Sequence, residues 1–440
     1  MDSDETTIGE TLRAEAPARI LTVRVLFEPE ATAARPSTPI GRGLFAIGRS
    51  RGQSQLCLKD PRASRCHATL QVTHELTARI NDRSRHGTFV NGRRIEGSAE
   101  LSDGDIVRLG DSLLLVRAAS TAPAKDADIG SLDGISDAMS ALRHTVAQVA
   151  PTDAKVLIQG ETGTGKELVA RAIHARSGRR GRFVAVNCAA IPESLAESQL
   201  FGHSQGAFTG AAKAQPGFMR AADGGTLFLD EVGELSQMLQ PKLLRALEQR
   251  EVTPVGCTEP VKVDIRLVAA THRALLQDVD AGRFRGDLYA RVAGYLVRTP
   301  PLRERPEDVL PLLRRALGEG AAPLCADLVE ALLLHRFRFN VRELNELATQ
   351  LTIDGAGASR LTLEMVAGRL EPRDRDAGTR ADERADEPAK PAEKKPAPTE
   401  PELRRLVELH GGNVSRIARE LGRSRRQVHR YLRKHGIQLG

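Results

Sequence analysis

The sequence predicts a multidomain chain: a β-sandwich first, a parallel α/β unit in the middle and a small all-α unit last. Three observations lead there. Near the start, Leu21, Val23, Val25 and Phe27 alternate with Thr22, Arg24 and Leu26 at a strand period. In the middle, strand-like runs such as Val156-Leu157-Ile158 alternate with helical stretches such as 167–176, the pattern of a mainly parallel sheet. Two stretches, 118–130 and 372–400, divide the 440 residues into three, in keeping with roughly 100–200 residues per domain.

The resulting boundaries are a tail at 1–18, the sandwich at 19–117, a linker at 118–130, the α/β core at 131–300, a segment at 301–371, a tether at 372–400 and the last unit at 401–440. Short apolar runs at 44–47, 68–72, 77–80, 88–90, 106–109 and 113–116 are separated by Gly, Asp, Asn and Ser, as in a sandwich. The tether has no Val, Ile, Leu, Met, Phe, Tyr or Cys, so it cannot bury a core. The last unit is helical: Leu403, Leu406, Val407 and Leu409 share one face, Asn413 and Ser424 are caps, and Gly422-Arg423 makes a turn.

Composition excludes several classes. No apolar run approaches the roughly 20 residues that span a bilayer, so no membrane partner is expected. The start, Met1-Asp2-Ser3-Asp4-Glu5, is not a secretory signal. The five cysteines are scattered without a C-x-x-C pair, which fits a reducing cytoplasm and argues against a zinc site. The net charge of +7 is localised: residues 402–440 hold ten Lys/Arg against three Asp/Glu, which accounts for all of it. Such a concentration suits a nucleic-acid-binding unit.

The middle unit carries a nucleotide site. Gly160-Glu161-Thr162-Gly163-Thr164-Gly165-Lys166-Glu167 follows a strand and opens a helix. Its glycines let backbone N–H groups close on phosphate oxygens, and Lys166 is placed to reach the β- and γ-phosphates. Glu167 stands where a Ser or Thr magnesium ligand is usual. The apolar run Thr226-Leu227-Phe228-Leu229 ends in Asp230-Glu231. Asp230 would hold Mg2+ and Glu231 would polarise the attacking water, so ATP and Mg2+ are the expected cofactors.

Between these elements lies Gly206-Ala207-Phe208-Thr209-Gly210-Ala211, a Phe framed by small residues, as on an exposed loop tip that meets a partner. This hexapeptide resembles the signature loop of the sigma-54-dependent activators, AAA+ ATPases of the bacterial enhancer-binding class. The resemblance covers roughly 131–371 and implies that 206–211 contact sigma-54. It implies that Asn187, in Phe183-Val184-Ala185-Val186-Asn187, restrains the catalytic Glu231. Ala269-Ala270-Thr271-His272 is similar to the sensor I strand, which gives Thr271 and His272 a place at the nucleotide. Phe284-Arg285-Gly286-Asp287-Leu288-Tyr289-Ala290-Arg291 resembles the arginine-finger segment, with Arg285 and Arg291 as the fingers acting in trans. Pro300-Pro301-Leu302-Arg303-Glu304-Arg305 resembles the link into a helical lid, here 301–371. Asn340-Val341-Arg342-Glu343-Leu344 resembles sensor II, with Arg342 reading the γ-phosphate. Phe337-Arg338-Phe339 stands where the family has Trp-Pro-Gly, so the tight Pro-Gly turn is expected to be lost.

The first unit resembles a forkhead-associated (FHA) domain at Gly48-Arg49, at 64–68 and at 87–92. The likeness implies phosphothreonine binding through Arg49, Ser64 and Arg65, with His67 bracing the loops. Arg85 and His86 stand where the family has Thr-Asn or Ser-Asn before Gly-Thr. The last unit resembles the Fis-type helix-turn-helix of the same activators, with Ser424, Arg425, Arg426, His429, Arg430 and Arg433 facing double-stranded DNA.

The expected function is a sigma-54-dependent transcriptional activator. It would bind upstream DNA, form an ATP-hydrolysing ring, by family likeness a hexamer that rests as a dimer, and remodel the sigma-54 RNA polymerase closed complex. Input would come from a Ser/Thr kinase or a phosphothreonine protein. The alternative is a DNA-bound, phosphopeptide-reading repressor or scaffold with weak ATPase, suggested by the altered turn at 337–339.

Overall fold

The computed structural model describes residues 19–29, 35–74, 77–120, 126–207, 211–371 and 404–407. Residues 374–440 form a unit of their own, of which 404–407 are described and helical. The residues expected to face DNA, Ser424, Arg425, Arg426, His429, Arg430 and Arg433, lie outside the described residues.

The first unit folds into two sheets, antiparallel except where 47–48 pair in parallel with 56–57. The strands are β1 (Arg19–Phe27), β2 (Thr38–Pro39), β3 (Leu44–Gly48), β4 (Leu56–Cys57), β5 (Ala68–His74), β6 (Thr77–Asp82), β7 (Thr88–Val90), β8 (Arg93–Arg94), β9 (Ser98–Leu101), β10 (Ile106–Leu109) and β11 (Ser112–Ser120). One sheet has the order β2-β1-β11-β10-β7-β8 and the other β4-β3-β5-β6-β9. Leu21, Val23, Val25, Val107, Leu109, Leu114 and Val116 fill the space between the sheets with Ile47, Leu70 and Ile80. β11 outruns the expected boundary at 117, because Arg19 still pairs with Ser120. The described part of the linker is also pinned, since Arg143 binds both oxygens of Asp126 at 2.6 and 2.7 Å.

The middle unit is a five-stranded parallel sheet flanked by helices. Its elements run α1 (Asp137–Val149), β12 (Val156–Gln159), α2 (Lys166–Ala175), β13 (Phe183–Asn187), α3 (Glu193–Phe201), α4 (Gly217–Ala221), β14 (Thr226–Asp230) and α5 (Gln240–Gln249). After a short ribbon of β15 (Glu251–Val252) and β16 (Val261–Lys262) come β17 (Arg266–Thr271), α6 (Leu275–Asp280), α7 (Gly286–Val292) and β18 (Tyr295–Arg298). The order is β13-β14-β17-β12-β18, with every pair parallel. Because successive side chains alternate across a strand, Leu227 and Leu229 pack on one face while Phe228 packs on the other with Ile158 and Val268. Both faces are covered, which explains the unbroken apolar runs.

The lid comprises α8 (Val309–Leu317), α9 (Ala326–Leu333) and α10 (Asn340–Asp354). Its core contains residues of the sandwich. Leu26, Phe27, Ile106, Leu113 and Leu115 share one buried cluster with Leu310, Leu313, Leu328, Leu332 and Leu347. These are the outward residues of β1, β10 and β11, and α9 lies across β10 and β11. At about 1.5–3 kcal/mol for each fully buried large apolar side chain, this contact is comparable to a domain core. Arg117 closes one side of it with a forked pair to Glu307 at 2.8 and 3.1 Å. Among the described residues, no helix is long and apolar enough to cross a membrane.

Candidate functional site

The nucleotide site forms where β12 ends. Gly160 N–H is held by the carbonyl of Thr271 at 3.2 Å, and the chain then turns through Gly163 at φ 80° and Gly165 at φ 98° into α2. A Cβ on Gly160 would lie 1.9 Å from Thr299 Oγ1, and one on Gly163 would lie 2.0 Å from the Phe339 carbonyl oxygen. Both positions therefore require glycine. Thr164 Oγ1 donates to the Glu161 carbonyl at 2.7 Å and sits 2.8 Å from Thr299 Oγ1. Lys166 is buried, and its ammonium donates to the Gly160 carbonyl at 3.0 Å.

The loop opens on a cavity of about 550 Å3 lined by Thr162 to Leu168, Asp230, Glu231 and, from the lid, Arg305 and Arg342. Lys166 Nζ lies 3.3 Å from Glu231 Oε1. On the other side of Glu231, Oε2 lies 2.6 Å from His272 Nδ1. An ionised carboxylate only accepts, so Nδ1 carries the proton. Burial disfavours the Glu231 charge, but the His272 hydrogen bond and the Lys166 charge outweigh it and hold the carboxyl below its ordinary range. Glu231 also adopts φ 51°, a left-handed conformation that costs a non-glycine residue about 1–3 kcal/mol. Asp230 shifts the other way, raised by burial and then by the Glu231 charge. Asp230 and Glu231, adjacent on the cavity wall, are the carboxylates that could hold a divalent cation here.

Several expected residues sit otherwise than foreseen. Asn187 does not hold Glu231: its Oδ1 accepts from Ala189 N–H at 2.9 Å and caps a short turn, and His272 occupies the restraining place. Glu167 lines the cavity, but its carboxylate pairs with Arg171 at 2.7 Å on the exposed face of α2. Thr271 is buried, with its hydroxyl turned to Arg273 N–H at 3.0 Å. Arg285 pairs with Asp287 at 2.8 Å and Arg291 donates to the Leu247 carbonyl at 3.3 Å. Neither arginine is among the residues lining this cavity.

The chain turns at 337–340 without Pro-Gly, Asn340 N–H donating to the Phe337 carbonyl at 3.2 Å. Phe337 is fully buried at φ 47° with its ring 4.6 Å from that of His335, and Asn340 follows at φ 53°. The motif that opens with Asn340 assigns a role to Arg342 alone, yet the Asn340 amide ties lid to phosphate loop. Oδ1 accepts from Leu302 N–H at 2.7 Å, while Nδ2 donates to the Thr162 carbonyl at 3.0 Å and to Glu161 at 3.1 Å. Arg303 pairs with the same Glu161. Thr299, at the end of β18, had no sequence signal, because a lone Thr at a strand end has none.

The hexapeptide loop is closed at its base. Gly206 N–H donates to the carbonyl of Ala211 at 2.9 Å, and Ala211 is buried. Ala207 packs near Gly256, whereas Phe208, Thr209 and Gly210 lie outside the described residues.

At one end of the sandwich, Arg49 N–H donates to the Ser64 carbonyl at 2.9 Å, and Ser64 Oγ accepts from Arg85 N–H at 3.4 Å. His67, fully buried, accepts from Ser64 N–H at Nδ1 and faces the Gly87 carbonyl at 3.3 Å with Nε2. Burial lowers its pKa. Arg49, Arg65, Arg85 and His86 are exposed around it.

Residues 132–298 match the model of the sigma-54 interaction domain, and residues 45–110 match that of the FHA domain. The transcriptional regulatory protein ZraR of Klebsiella oxytoca is 52% identical over 222 residues, covering 48% of this chain and 49% of that protein. The nitric oxide reductase transcription regulator NorR1 of Cupriavidus necator is 43% identical over 336 residues, or 70% and 64% of the two chains. NtrX of Brucella abortus superposes with a TM-score of 0.52 at 31% identity over 70% of each chain, and its complex with ATP gives 0.50. The chain spans about half the length of the curated relatives it matches. With a phosphate loop, strand-end carboxylates and lid in this arrangement, the chain belongs to the family of sigma-54-dependent regulators, its sigma-54 interaction domain of AAA+ ATPase fold preceded by an FHA domain.

Proposed function

We propose that this protein activates transcription by hydrolysing ATP and remodelling the sigma-54 RNA polymerase closed complex. The observation that carries the reading is the Lys166–Glu231–His272 row at the edge of the phosphate loop. Lys166 faces the phosphates. Glu231, kept ionised, is a base for the attacking water, and His272 sets its orientation. Mg2+ bound with ATP would rest on Asp230 and neutralise phosphate charge there. Arg285 and Arg291 would complete a neighbouring subunit's site, so turnover would depend on a ring, by family likeness a hexamer. Motion of the lid would pass through Asn340 and the phosphate loop to the base of the 206–211 loop, which would press on sigma-54.

The outer units would regulate and target this engine. Residues 401–440 would hold upstream DNA. The sandwich would read phosphothreonine on a kinase substrate, and its seat on the lid gives that signal a route to Arg342. The scaffold alternative drew its support from the altered turn at 337–339. Phe337 and Asn340 keep the chain reversed there, which favours the active ATPase. The test is open-complex formation by the full chain at a sigma-54 promoter with ATP, with Thr209→Ala and Glu231→Gln as controls. Activity lost in both controls supports the reading. ATP turnover without open complexes would assign the ring another target.

A further inference from the structure

The phosphate end of the sandwich carries more positive charge than one phosphate matches. Ser64 is its hub. Ser50 N–H donates to the Arg65 carbonyl at 3.1 Å, and Arg83 N–H donates to the His67 carbonyl at 2.9 Å. With the Arg49 and Arg85 bonds to Ser64, four arginines leave the backbone within a few hydrogen bonds of one hydroxyl. Arg94 joins them from β8. Its side chain lies over Gly87, where a Cβ would come 2.5 Å from Arg94 Nε. All five are exposed, and among the described residues none pairs with a carboxylate.

Two nearby acids are spoken for. Asp82 accepts from Ser84 N–H at 3.0 Å and from Thr88 Oγ1 at 2.9 Å. Asp60 is buried and accepts from Arg62 N–H, Asp111 N–H and Ser112 Oγ. Elsewhere on the sandwich, Arg35, Arg62, Arg79, Arg108 and Arg117 each meet a carboxylate, whereas among the described residues Arg19, Arg24, Arg42, Arg51 and Arg93, like the rim, do not. A phosphothreonine brings about two negative charges, which leaves about three guanidinium groups of the rim without a counter-charge. Forked guanidinium groups bind carboxylates and phosphates alike.

We propose that this rim selects an acidic phosphopeptide, one whose phosphothreonine is flanked by carboxylates or by a second phosphate, with Arg83 and Arg94 reading the flanking charge. This rests on the phosphothreonine reading of the sandwich.

The test is fluorescence anisotropy with the full chain and four labelled peptides: phosphothreonine with Ser/Ala flanks, phosphothreonine with Glu flanks, two phosphothreonines, and the Glu-flanked peptide without phosphate. The Glu-flanked or doubly phosphorylated peptide should bind about tenfold tighter than the Ser/Ala one, with a steeper loss as salt rises. Arg83→Ala with Arg94→Ala should erase that gain while the Ser/Ala phosphopeptide binds as before, which also shows the variant is folded. A gain in only one of the two acidic arms identifies the source of the extra charge. Equal binding of all three phosphopeptides overturns the inference and leaves phosphothreonine recognition standing. No phosphopeptide held above the unphosphorylated one removes both. Loss of affinity for a double-stranded DNA probe in the same variant would make the rim a nucleic-acid surface and overturn the inference as well.

Discussion

Arg108 of the sandwich donates from one terminal nitrogen to both Asp327 and Glu330 of the lid, at 2.6 and 2.8 Å, across 222 residues of sequence from the latter. Its other terminal nitrogen faces Asp111 at 3.5 Å, and Asp111 pairs in turn with Arg62, two residues before Ser64. Arg108 and Glu330 are only 15% and 13% exposed, so solvent screens this pair less than a surface one. Arg108→Ala should loosen the sandwich from α9 by about 1.5–3 kcal/mol. Hydrogen exchange at Ala326–Leu333 checks this, and Arg108→Glu with Glu330→Arg should restore part of the protection. Unchanged exchange in Arg108→Ala would show that the apolar cluster alone seats the sandwich.

Glu231 provides a pH prediction. Its carboxyl lies below the ordinary range, so the ionised base persists at neutral pH and is lost only as pH falls through that depressed value. In His272→Ala, burial still opposes the charge but the hydrogen bond that outweighs it is gone. The acid limb of the pH–rate profile should therefore move to higher pH. Glu231→Gln should bind ATP and turn it over at least about a hundredfold more slowly. An acid limb unmoved by His272→Ala would mean that Lys166 alone holds the charge.

Gly163→Ala should abolish nucleotide binding, because its Cβ would meet the Phe339 carbonyl at 2.0 Å in a left-handed turn. Gly52→Ala is the matching control, since nothing lies within 4 Å of a Cβ there. Titration with a fluorescent ATP analogue distinguishes them, with circular dichroism to verify folding.

Asp308 is fully buried and accepts from Ile135 N–H, Ser136 N–H and Ser136 Oγ at 2.6, 2.9 and 2.7 Å, which fastens the lid to the start of α1. Burial raises its pKa despite these donors. Asp308→Ala leaves them and the buried Arg305 without their acceptor, so it should cost about 3–5 kcal/mol. A thermal melt should show a lower Tm for Asp308→Ala than for Asp308→Asn, which keeps one acceptor oxygen.

Local chemistry was legible in the sequence because its requirements fall on neighbouring residues. The glycines before Lys166, the apolar run ending in Asp230-Glu231 and the strand-period alternation at 21–27 each declare backbone geometry within a few positions. Leu113-Leu114-Leu115-Val116 is an unbroken apolar run, and such a strand is buried on both faces. That run marked the lid-facing side of the sandwich.

By itself, then, the sequence determined the phosphate loop, the paired acids and the concentration of positive charge in the last 39 residues. Only the tertiary structure decided that His272 rather than Asn187 restrains Glu231, that Phe337 and Asn340 turn the chain without Pro-Gly, and that sandwich and lid share a core. The physical reason is separation along the chain. A glycine or an apolar period acts where it stands, whereas which of two polar side chains reaches a carboxylate 41 residues away depends on how β14 and β17 are packed side by side.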